Sequence, residues 1–220
     1  MIRLIIVCEG QTEQAFCKSV LSPYFFGKGI VIQAPTIKHT KGGIVRWSIL
    51  KKQIETHLFG EPQTFVTTLI DYYGLYEKHS FPDWDECEKI QDKNDRMTAL
   101  EDALKNNIHP NFRHRFIPYL QLHEFEGLLF NDIDIFYDQF PDSDLIGKVE
   151  LKETFQKYPN PEMINSSRAT SPSHRLERII KGYNKVVYGD LLAEEIGLTR
   201  MRNKAPRFNS WIKTLITTCK

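Results

Sequence analysis

RLIIVCEGQTE, residues 3–13, is the stretch on which the fold turns. Leu4, Ile5, Ile6 and Val7 follow one another without alternation, the pattern of a parallel strand covered on both faces. A strand with one wet face would alternate. The run is far shorter than the core of a signal peptide and meets Glu9 at once, so it reads as a strand and not as a leader. Beyond it, Gly10 permits a sharp turn, Thr12 is placed to cap a helix, and Ala15, Phe16, Val20 and Leu21 recur at helical spacing before Pro23. The unit is strand, tight turn, helix.

Outward from this unit the pattern repeats. A β-rich run from Ile30 to Ile37 leads through Gly42-Gly43 to Ile44, Trp47, Ile49, Leu50 and Ile54, the apolar face of a second helix. Phe65 to Asp71 (FVTTLID) reads as the next strand. A loop marked by Gly74 and Pro82 follows, then a helix from about Asp85 to Leu104, and Arg115 to Leu122 (RFIPYLQL) supplies a fourth strand. Alternation of this kind predicts an α/β fold, an open and mostly parallel sheet flanked by helices. After His123 the pattern becomes helical, with Ser171-Pro172 as an N-cap and N1 pair and Phe208 to Thr217 as a terminal amphipathic helix. We therefore expect residues 1–130 to form the core and 131–220 a helical cap on it, in one unit.

A formal charge of +1 exerts no net pull on nucleic acid or membrane, so such a partner has to be held by a local patch. No stretch approaches membrane length. Cys8, Cys17, Cys87 and Cys219 form no CxxC pair, which speaks against a disulfide framework and a structural zinc site and for a reducing, cytoplasmic setting. In that setting the sequon Asn165-Ser166-Ser167 carries no meaning. A GxxxxGK[ST] loop and a GxSxG elbow are absent, and HEFEG lacks the second histidine of a zinc-protease helix.

Ligands of open α/β sheets sit beyond the carboxyl ends of the strands, and three strands here end in acid. Glu9 ends the first, with Glu13 one turn on. Asp71 ends the third, and Glu124 and Glu126 follow the fourth. Carboxylates gathered at one sheet edge repel one another unless a cation joins them, and oxygen-only ligands select Mg²⁺ or Mn²⁺. Two such ions suit phosphodiester hydrolysis. Each residue also has a plainer reading. Glu13 would favour a helix N-terminus, Asp71 would cap a turn, and one of Glu124 and Glu126, two apart in an extended segment, would face solvent. Glu9 is harder to dismiss, because an acid directly after a buried strand needs a partner. His123 either positions a water or phosphate or is a hydrogen-bonded structural residue. Glu162 either reaches the site or caps after Pro161. Arg168, Arg175, Lys185, Arg200, Arg202, Lys204 and Arg207 are phosphate contacts only if they cluster beside the acids.

IIVCEGQTEQAF (5–16), LIDYYGL (69–75), RFIPYLQLHEFEGLLF (115–130), YPNPEMIN (158–165), SPSHRLERI (171–179) and PRFNSWI (206–212) together resemble the DUF4276 family over nearly the whole chain. That family is placed with Toprim-like proteins, among them the OLD-type nucleases. The resemblance implies a metal-dependent nuclease acting on DNA more readily than RNA, with Glu9 as the glutamate ending the first strand, Glu13 as the second acid of an EGxxE pattern, and Asp71 as the first acid of DxD. Tyr72 and Tyr73 follow Asp71, so the second Asp of that motif is missing and Glu124 or Glu126 would have to replace it. That loss keeps a rival reading open, a catalytically inactive binding or regulatory subunit. Because OLD-type relatives join such a domain to an ATPase and this chain has no nucleotide loop, the resemblance also implies a separate ABC- or SMC-like ATPase subunit in anti-phage defence. Phe208, Trp211 and Leu215 offer either a docking face for it or part of this chain's own core, and self-association is open as well.

Overall fold

The computed structural model describes residues 1–38, 43–164, 167 and 169–219. Of the positions singled out above, Gly42, Asn165, Ser166 and Arg168 lie outside these residues. The chain runs β1 (Ile2–Cys8), α1 (Gln11–Phe16), a π-helical turn (Cys17–Leu21), α2 (Ser22–Phe26), β2 (Ile30–Gln33), α3 (Trp47–Gly60) and β3 (Thr64–Asp71). It continues through α4 (Trp84–Glu88), α5 (Lys93–Asn107), β4 (Phe116–Ile117), β5 (Leu120–Gln121), α6 (Ile133–Gln139), α7 (Lys148–Lys157), α8 (Pro172–Ile179), α9 (Lys185–Lys204) and α10 (Pro206–Thr218).

The strands are ordered β2-β1-β3-β4, with β5 also on β3, and every pairing within the sheet is parallel. β1 is central, with Ile5 opposite both Gln33 and Val66. Its alternate residues enter different cores. Leu4, Ile6 and Cys8 pack with Phe16, Leu192, Met201 and Phe208, whereas Ile5 and Val7 pack with Leu50, Ile54, Leu100 and Leu104. The unbroken apolar run is thus explained by two covered faces, and each such side chain contributes about 1.5–3 kcal/mol by leaving water. α1 and the helices after residue 131 share the first core, and α3 and α5 share the second.

Local chemistry departs from the expected boundaries at four places. Helical structure does not stop before Pro23, because Pro23 falls in the first turn of α2, where its missing N–H is no loss. Thr12 is not the cap of α1 but lies within it. Gly10 holds the N-cap position, and Glu13 Oε2 accepts from its N–H at 2.8 Å. The helix expected over 85–104 is two, since Asp92 caps α5 by accepting from the N–H groups of Asn94 and Asp95. The fourth strand is divided around Pro118-Tyr119. Pro118 has no N–H for the ladder, and Thr68 Oγ1 substitutes on β3, accepting from Tyr119 N and donating to Tyr119 O.

Phe208, Trp211 and Leu215 are core residues, 0%, 4% and 0% exposed, so of the two readings they are part of this chain's own core and not a docking face. Trp211 stacks on Tyr119 at 4.4 Å and donates Nε1–H to Thr67 Oγ1 at 2.9 Å. Trp211→Phe should cost about 1–2 kcal/mol in urea unfolding, through the lost hydrogen bond and the small void left behind. An unchanged midpoint would mean that this face is not packed as described. Among the described residues no helix is long and apolar enough to cross a membrane.

Candidate functional site

The carboxyl ends of β1 and β3 lie side by side, and the acids that end them meet there. Glu9 N–H donates to Leu69 O, which fixes the turn after β1, and Glu9 Oε2 accepts from Asp71 N–H at 3.1 Å. Asp71 Oδ1 accepts from Phe125 N–H at 2.8 Å, so β3 is tied to the segment carrying Glu124 and Glu126. Tyr73 N–H donates to His123 O beside it. From the other side comes α9. Gly189 passes so close to α1 that a Cβ there would stand 3.2 Å from Thr12 Cγ2, and this approach lays the start of α9 over the acids. Asn184 caps that start by accepting from Val186 and Val187 N–H, and Lys185 is the first helical residue. Its Nζ stands 2.9 Å from Glu126 Oε1.

Glu13, Asp71, Glu124 and Glu126 are all under 5% exposed or at that value, and Glu126 is fully buried. Burial and the neighbouring Glu13 push Glu9 up to about 7. Burial likewise lifts Glu126 to about 7, against the pull of Lys185. Asp71 is raised well above the carboxylate range by burial, with Glu9 and Glu13 adding to it. Burial alone would lower Lys185, but Glu126, Asp71 and Glu13 outweigh it and leave the ammonium more firmly protonated than usual. Among the described residues, the ammonium of Lys185 is the positive charge paired with these carboxylates. At the cluster, the buried atoms without a hydrogen-bond partner include both oxygens of Glu126, of which Oε1 has the Lys185 ion pair, the Tyr183 hydroxyl and His123 Nδ1.

The other expected residues are placed as follows. Glu124 is engaged by α8, its two oxygens accepting from Ser173 N–H at 2.8 Å and Ser173 Oγ–H at 3.0 Å. His123 is held in the left-handed region at φ 68°, with Nε2 3.0 Å from Lys93 Nζ. Burial and Lys93 lower it to about 4, so it is neutral at pH 7 and accepts from the lysine. Glu162 caps α10, accepting from Arg207 N–H at 3.0 Å and Phe208 N–H at 2.9 Å. Glu162→Ala should lower stability by about 1 kcal/mol while leaving any metal-induced shift in Tm unchanged. A lost metal response would instead put Glu162 in the site.

Among the described basic candidates, Arg175 pairs with Glu150 and Arg207 with Glu101, Arg200 approaches Asp132, Arg202 binds Asn209 and Tyr24, and Lys204 binds Asn131 O. Lys185 alone of these is paired with one of the clustered acids. Nothing in its spacing from the acids marks it, because only the packing of α9 on α1 brings it there. A cleft of about 530 Å³ between α5 and α10, lined by Glu101, His114, Tyr119, Arg207 and Trp211, includes none of the clustered carboxylates.

The donor set is all oxygen, and a buried carboxylate oxygen lacks a partner. Both suit a hard divalent cation in kind. In the present arrangement, however, no group of three His, Cys, Asp or Glu side chains among the described residues is spaced to hold a metal ion.

Residues 8–216 match the model of a family described as a domain of unknown function, DUF4276. No curated protein and no solved structure matches the chain.

Proposed function

The chain belongs to the DUF4276 family, and from that premise and the geometry of the carboxylates we propose a metal-dependent nuclease that hydrolyses phosphodiester bonds in nucleic acid, DNA in preference to RNA. The observation that carries the reading is the convergence of Glu9, Asp71 and Glu126 from three parts of the chain, all raised first by burial and then by one another's charge. Glu9, Glu13, Asp71 and Glu126 would hold Mg²⁺ or Mn²⁺, with Glu124 fastening α8 against them. A bound divalent ion would stabilise charge on the phosphate and ease deprotonation of a water. Glu9, anchored on Asp71 N–H, is suited to take that proton. Neutral His123 and Lys93 form a polar flank next to the segment bearing Glu124, where a phosphodiester can be positioned.

The resemblance to OLD-type proteins, which join a Toprim-like domain to an ATPase, supports an ATPase partner of ABC or SMC type in an anti-phage setting. Four free, buried cysteines suit the cytoplasm. The relation to Toprim-like proteins is part of this proposal, supported by a parallel sheet with acids at the ends of its first and third strands.

Incubation with plasmid and linear DNA in Mg²⁺ or Mn²⁺, against EDTA and Glu9→Gln, tests the assignment. Cleavage that survives both controls removes it. The pairing of Lys185 with Glu126 favours a second reading, a non-catalytic binding subunit whose charge is balanced internally. That reading predicts neither cleavage nor any rise in Tm with millimolar Mn²⁺.

A further inference from the structure

Resting on the metal-site reading, we propose that Lys185 is a resident cation that occupies the carboxylate cluster in the metal-free chain, and that a divalent ion enters by displacing its ammonium toward solvent.

Three observations carry this. The first is position, since Nζ lies at 2.9 Å from Glu126 Oε1, and Asp71 and Glu13 are its next strongest electrostatic partners. The ammonium stands where the fields of the carboxylates add, which is also where a metal ion would be most stable. The second is incomplete neutralisation. Glu126 Oε2 is buried without a hydrogen-bond partner, so a single ammonium does not use the donors available. A doubly charged ion with several coordination positions would use more of them. The third is the exit. Glu126 is fully buried, but the Lys185 side chain is 47% exposed, and it springs from the capped first turn of α9. Rotation of its stem can carry the ammonium into water without unpacking Gly189 from α1.

Entry of a metal would therefore also require the acids to draw together, since among the described residues no three of them are spaced for a metal in the present arrangement. The ammonium keeps the cluster assembled at low metal concentration, because without it the buried acids would repel one another or take up protons. Metal occupancy then sets whether the lysine charge lies inside the site or at its mouth, where it can meet a phosphate.

The test is direct titration of the full chain with Mn²⁺ by calorimetry, comparing the native chain with Lys185→Met. Removing the competitor should tighten Mn²⁺ binding by about tenfold or more and lower the metal-free Tm. Equal or weaker binding by Lys185→Met, with binding by the native chain intact, overturns the displacement while the metal site stands. If neither form binds Mn²⁺, both this inference and the nuclease reading fail. Should Lys185→Met not fold, NMR of the native chain decides. The Lys185 ammonium signal, protected from exchange without metal, should move to the position and fast exchange of a free lysine on saturation with diamagnetic Mg²⁺. A signal that stays protected at saturation overturns the proposal.

Discussion

Asp71→Asn is expected to reduce metal-dependent DNA cleavage by at least about 100-fold while making the metal-free chain more stable. Even outer partners of a metal ligand alter activity or affinity by roughly 10–100-fold, so loss of a carboxylate that would itself bind the ion should reach or exceed that range. The opposite effect on stability follows from the surroundings of the side chain. Burial, then Glu9 and Glu13, all disfavour the charged form of Asp71. Asparagine keeps an oxygen that can accept from Phe125 N–H, the bond that ties β3 to the segment bearing Glu124 and Glu126. The substitution removes the cost of a buried charge without breaking that bond, and a gain in stability at pH 8 is expected in EDTA. Urea unfolding and a plasmid-nicking assay on the same preparation measure both. A variant that is stabilised yet cuts at the native rate would remove Asp71 from the reaction. One that is destabilised would mean that the charged form is needed for folding, against the electrostatics described.

Much of this is legible in the sequence. Leu4 to Val7 announce a strand with two covered faces, and the acids at the ends of β1 and β3 are legible because position along a parallel strand predicts position at the sheet edge. What escaped reading depends on contacts between distant segments. Pro118 looks like one residue within a strand, and only the Thr68 hydroxyl across the sheet shows how the ladder survives around it. Glu162 is ambiguous in NPE because the helix it caps begins 44 residues later. Phe208, Trp211 and Leu215 give the same amphipathic stripe whether they face a partner or this chain's own sheet. Lys185 is the most instructive case. Its place beside Glu126 is set by Gly189, one turn on, which lets α9 approach Thr12, and no spacing rule relates Lys185 to an acid about 60 residues earlier.

In EDTA the native chain should lose stability as pH rises from about 5 to 8, and millimolar Mg²⁺ should restore much of it at pH 8 but little at pH 5. Glu9 and Glu126 titrate near 7 in the folded chain and near 4.5 when unfolded, and Asp71 is raised in the same sense. A carboxylate raised by folding binds more protons in the native than in the unfolded state between those two values. Its contribution is therefore favourable at low pH and is lost as pH climbs through the window. Allowing for their mutual coupling, Glu9 and Glu126 together represent on the order of 4 kcal/mol across it. His123 acts in the opposite direction. Folding lowers it from 6.5 to about 4, so its contribution is complete above 6.5 and is lost as pH falls. The carboxylate effect is therefore best read as the difference between the native chain and Glu126→Gln, which leaves His123 in both. That difference should slope most steeply between pH 5 and 7 in EDTA and flatten when Mg²⁺ is present, since the ion binds the deprotonated cluster and competes with protons for it. Thermal melts at half-unit pH steps, with EDTA or Mg²⁺, supply the curves. If the native chain and Glu126→Gln run parallel in EDTA, Glu126 keeps its ordinary acidity and burial at the sheet edge does not raise it. If they diverge in EDTA yet Mg²⁺ changes nothing at pH 8, Glu126 is raised as described and the ammonium of Lys185 is the cation the cluster was built around.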